Sequence, residues 1–119
     1  MTHALLLTDR LCDLTEMALQ AYTKFEKATV FSATRAIRAE FHEVAPQMPP
    51  AAEEKLASIC HAILGAVEYT PTEGRTNPQC IVCARNDIVA LREMLKQLPP
   101  AYFAQQKERL EGRSSPTLQ

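Results

Sequence analysis

The chain has 119 residues, 46% of them apolar and 23% charged, and a formal net charge of −1. Those values describe one globular domain that buries about two-thirds of the surface its unfolded chain exposes, and they exclude a disordered chain. So small a net charge gives no overall field for nucleic acid or an anionic membrane surface, and contact with either would need a local patch.

The N-terminal MTHALLLTDR carries a three-leucine run but no basic leader, long apolar stretch or small-residue cleavage site, and does not read as a secretory signal. No apolar run approaches the roughly 20 residues that cross a bilayer. The expected location is cytoplasmic. In that reducing compartment Cys12, Cys60, Cys80 and Cys83 are expected as free, metal-bound or redox-active thiols rather than as a disulfide framework.

Only three glycines are present, at Gly65, Gly74 and Gly112, and no segment alternates apolar and polar residues long enough for a strand. The fold class is all-α, a small bundle of about four helices cut by prolines at 46–50, 71–78 and 99–100.

The first predicted helix runs from Thr8 or Asp9 to Val44, with Leu11, Leu14, Ala18, Tyr22, Phe25, Ala33, Ile37, Phe41 and Val44 at helical spacing. Unbroken, it would be about 55 Å long at 1.5 Å per residue, too long for a compact domain of this size. Two resolutions fit. Either the helix breaks inside KATVFSATR, where β-branched residues weaken it and Ser32 would cap a new start, or a second chain covers the overhanging stripe in a homodimer.

The second helix is expected over 51–69, buried through Leu56, Ile59, Cys60, Ile63 and Val67. A loop follows in which TEGR reads as a turn. The third starts at TNPQCIVC, with Asn77 as cap and Pro78 first, and its Ile81, Ala84, Ile88, Leu91, Leu95 and Leu98 form a heptad-like seam. A short last helix over 101–111, stopped by Gly112, completes a single domain of residues 1–112, and 113–119 reads as a flexible tail.

Cys80 and Cys83 form a CxxC pair at a helix start, a spacing that lets two sulfurs meet one metal ion or each other. A closed zinc shell needs four ligands, and no second pair exists; the available partners are Cys60 and His61, adjacent on one helix and therefore about 100° apart. Thioredoxin-like redox pairs follow a strand in a βαβ setting, and no strand is expected here. Asp87, one turn after Cys83, is not the histidine that would supply a general acid or base. Zinc at Cys80, Cys83, Cys60 and His61, or CxxC redox chemistry, is thus the alternative reading, and the first reading has no cofactor.

HEVAP at His42 lacks the second histidine of HExxH, because Pro46 takes its place. Arg10, Lys24, Lys27, Arg35 and Arg38 are interleaved with glutamates, which suits a solvated face better than a phosphate-binding stripe. Nucleic-acid binding is not expected. The surplus aromatic residues Tyr22, Phe25, Phe31 and Phe41 point instead to a helical interaction surface. The function expected is therefore that of a non-enzymatic regulator or adaptor, homodimeric, acting on a protein partner such as a transcription regulator or an enzyme.

Overall fold

Thr23 and Glu26 divide the long N-terminal helix into two. The Thr23 hydroxyl accepts the Glu26 N–H at 3.1 Å, while the Glu26 carboxylate accepts the Thr23 and Tyr22 N–H groups at 2.9 and 2.8 Å. This reciprocal capping box satisfies donors that a helix start leaves without partners, and so fixes where α2 begins. The computed structural model describes residues 2–103. They form α1 (Thr2–Gln20), α2 (Lys24–Val44), α3 (Pro50–Ala66), α4 (Asn77–Lys96) and a 3-10 turn at Pro100–Tyr102, with no strand among the described residues.

The break is therefore real but lies before KATVFSATR, and Ser32 sits inside α2. Helix α1 also begins earlier than Thr8, because Ala4 and Leu7 extend its buried stripe. Helix α3 ends at Ala66, where Glu68 adopts a left-handed φ of 71°. The Tyr69 N–H then reaches the Leu64 carbonyl and the Glu68 N–H reaches Gly65, the Schellman pattern with glutamate in the usual glycine place. Helix α4 is capped by Thr76 rather than Asn77, again reciprocally, with Gln79 as the returning side chain. Pro78 falls in the first turn, where its missing N–H costs nothing. Of the expected last helix, residues 104–111 lie outside the described residues, as does the 113–119 tail.

Helix α1 packs on α2 and α4, and α3 on α2 and α4. The pairs His3–Glu40, His42–Glu53 with Lys27–Glu68, Thr8–Arg92 with Thr15–Arg85, and Ser58–Asp87 with Gly65–Cys80 run in opposite directions along each neighbouring pair, so the bundle runs up-down-up-down. The expected α3 stripe is buried throughout, and Ile81, Ala84, Ile88, Leu91 and Leu95 of the α4 seam are buried while Leu98 packs at its margin. Between α1 and α4 one device occurs twice at heptad spacing. Arg92 donates to the buried Thr8 hydroxyl and pairs with Asp9; Arg85 donates to the buried Thr15 hydroxyl and pairs with Glu16. Each threonine hydroxyl in turn donates to a carbonyl three residues back, so two polar groups are buried with their bonding satisfied.

The α2 cap responds to pH. Backbone hydrogen bonds from Thr23 and then Tyr22 hold the Glu26 carboxyl below its ordinary range. A depressed folded-state value means the charged cap adds stability above the unfolded carboxylate's pKa, about 4.3, and loses it as pH falls through the folded value. The difference in thermal midpoint between the wild type and Glu26→Ala is therefore expected to be largest near neutrality and to shrink at acid pH.

Candidate functional site

Helix α2 buries only a narrow seam of Val30, Thr34, Ile37, Phe41 and Val44, spaced alternately four and three apart. Phe25 does not belong to that seam. It lies on the opposite side of α2, 81% exposed, beside Tyr22, which is 87% exposed. The cause is the corner itself. An apolar residue preceding a helix cap often packs on the fourth helical residue, but here that residue is Lys27, whose ammonium pairs with Glu68 at 3.2 Å. Tyr22 is left without a staple, and its backbone N–H is held by Glu26.

The two rings thus project from a corner whose backbone is fixed. Between the ends of α1 and α2, Met17, Ala21, Phe25, Thr29 and Val30 line a groove, and a shallow trough continues along α2 past Ala28, Ser32, Ala33 and Ala36. Met17 and Leu19 add exposed apolar side chains on α1. The groove is low-relief and mixes these apolar side chains with Gln20, Thr29 and the Glu26 carboxylate.

The four aromatic residues picked out in the sequence therefore separate. Tyr22 and Phe25 are on the surface. Phe41 is fully buried in the core and is not an interaction residue. Phe31 is committed within the chain: its ring stacks on Tyr69 with centroids 4.6 Å apart, and the Arg35 guanidinium lies 5.6 Å from its ring centre. In the other direction, Tyr22 and Phe25 leave the buried stripe to which their spacing assigned them.

The proposed metal set does not assemble. Cys60 is buried on the side of α3 where Arg38 and Glu53 act on its sulfur, and burial pushes its thiol up to about 11. Cys80 is buried beside Gly65, Cys83 is half-buried under Arg75, and His61 is exposed. Among the described residues no three His, Cys, Asp or Glu side chains converge on a point that would hold a metal ion. His42 pairs with Glu53 at 2.6 Å and His3 with Glu40 at 2.7 Å, both linking helices of the bundle.

The mixed basic face is partly internally paired as well, Arg10 with Glu40 and Lys27 with Glu68. No described helix is long and apolar enough to cross a membrane. Sequence reading missed two determinants of these surfaces. The Thr-x-x-Glu box at 23–26 is a local signal that locates the corner, whereas nothing local announces that Arg75 folds back onto Cys83. Compared with protein-family models, curated proteins and solved structures, the chain matches none of them.

Proposed function

We propose that the protein is a non-enzymatic regulator or adaptor, cytoplasmic and homodimeric, that acts by protein–protein contact through the α1–α2 corner. The observation that carries this reading is the exposure of Tyr22 and Phe25 together at a corner fixed by a reciprocal cap. Fully burying a side chain of the Phe class is worth about 1.5–3 kcal/mol, and the fold forgoes that gain at both positions. Aromatic side chains with little freedom to lose on a rigid support are what anchor protein interfaces, and the small residues along α2 allow another helix to approach closely. The partner in this reading is a transcription regulator or an enzyme, whose activity the contact modulates.

A charge placed at the anchor tests the proposal without touching the core. Phe25→Glu is expected to convert the dimer to a monomer by light scattering and to weaken capture of the protein partner, with the helical circular dichroism unchanged. A wild-type chain that is monomeric at high micromolar concentration would remove the homodimer. Undiminished partner capture by Phe25→Glu would remove the corner as the binding surface.

A further inference from the structure

Cys80 and Cys83 stand on one side of the first two turns of α4, and the loop before that helix is shaped around them. Glu73 and Gly74 take left-handed φ values of 56° and 86°, and the Arg75 N–H closes the turn on the Thr72 carbonyl at 3.1 Å. A non-glycine residue in that region costs of order 1–3 kcal/mol. The turn brings Arg75 back over α4: its Nε donates to the Thr72 carbonyl at 3.2 Å, and its Nη1 donates to Cys83 Sγ at 3.3 Å. Arg75 is held charged more firmly than an ordinary arginine, first through this hydrogen bond.

Cys80 lies on the inner side of the pair, buried against α3. A Cβ on Gly65 would come within 3.5 Å of Cys80 Sγ, so glycine there leaves the sulfur room to turn. Residues three apart on an α-helix have Cα atoms about 5 Å apart, by the rise and radius of the helix. That falls inside the roughly 4.4–6.8 Å window of a disulfide, so the pair can close without unfolding α4. The remaining thiols are differently placed. Cys60 is buried where Arg38 and Glu53 act on its sulfur, and Cys12 sits on α1, where desolvation and then the Asp9 carboxylate raise its thiol.

We propose that Cys83 and Cys80 are a hydroperoxide-sensing dithiol, a stoichiometric switch beside the contact function rather than a catalytic centre, Cys83 attacking and Cys80 resolving. The Cys83 sulfur attacks the outer oxygen of a hydroperoxide; an S–O bond forms, the O–O bond breaks, and the thiol proton leaves with the departing alkoxide as an alcohol. Cys83 is oxidised to the sulfenic acid while the peroxide is reduced. The Cys80 thiol then displaces hydroxide from that sulfur, giving the Cys80–Cys83 disulfide and water, and a reducing dithiol restores the pair. Arg75 holds the Cys83 sulfur in place through its hydrogen bond, and half-burial beneath the guanidinium leaves the sulfur partly open to a hydroperoxide.

The full chain, exposed to hydrogen peroxide or cumene hydroperoxide and then alkylated, reports this directly, because trypsin releases residues 76–85 as one peptide holding both cysteines. That peptide is expected to lose two hydrogens and both alkylatable thiols together, while Cys12 and Cys60 stay reduced. In Cys80→Ser, a sulfenic acid at Cys83 is expected to be trapped by a carbon nucleophile of the dimedone type. Arg75→Gln is expected to slow the reaction by about tenfold, and Arg75→Lys to recover most of the rate. Oxidation of Cys12 before the pair, disulfides only between chains, or an unchanged rate in a folded Arg75→Gln would each overturn the proposal.

Discussion

Phe41→Ala is expected to destabilise the fold by about 3–5 kcal/mol, whereas Phe25→Ala on the same helix, measured at a concentration low enough for the chain to be monomeric, is expected to change it by no more than about 0.5 kcal/mol. Phe41 is among the largest fully buried side chains, in a seam of only five buried residues on α2. Removing its ring forfeits the transfer free energy of the ring and leaves a cavity that rigid neighbouring helices fill only in part. Phe25 makes no comparable contacts, so its loss returns exposed apolar surface to alanine and little else. Urea denaturation of both variants distinguishes the two positions through the shift in midpoint at constant slope. Similar losses at the two positions would show that Phe25 is packed, and would remove it from the interaction surface.

Leu91→Ala is expected to cost about 2–5 kcal/mol, and Val89→Ala on the same helix to cost within about 0.5 kcal/mol. Leu91 is fully buried in the α4 seam, and α4 packs on both α1 and α3, so a void there loosens two interfaces at once. Val89 is 63% exposed. On that face Arg85 and Arg92 stand four residues before it and three after, paired with Glu16 and Asp9 of α1. A Leu91→Ala cost below about 1 kcal/mol would mean that the seam is not where the bundle is held.

The all-helical class and the α3 and α4 stripes were legible in the sequence because each lies on one uninterrupted helix, where three-four spacing maps directly onto a face. The N-terminal third was harder for the same reason. Tyr22 and Phe25 continue the spacing of Leu14 and Ala18, so a purely periodic reading carries the stripe across a corner at which the chain changes direction. Once α2 restarts at Lys24, its buried face is counted from Val30, and Phe25 falls opposite. The capping signal was present in both loops, as Thr23-x-x-Glu26 and Thr76-x-x-Gln79, and it outranks the lowered helix propensity of KATVFSATR because it supplies partners for otherwise unbonded N–H groups.

The cysteine pair shows the other limit of sequence. Spacing located Cys80 and Cys83 on one helix and gave no means of knowing which distant residues would join them. Tertiary packing sends Cys60 toward Arg38 and leaves His61 exposed, while a turn with two left-handed residues delivers Arg75. A left-handed glutamate at position 73 is set by the closing of that turn and has no signature in the residue type.

A photo-crosslinking side chain placed in turn at Phe25 and at Val89 measures the interaction surface most directly, since both positions are exposed and apolar but lie on different helices. In cells making the full chain, the probe at Phe25 is predicted to give discrete protein adducts, including the chain with itself, and the probe at Val89 to give none. No adduct at Phe25, or the same adducts at both positions, would contradict a corner built for protein contact.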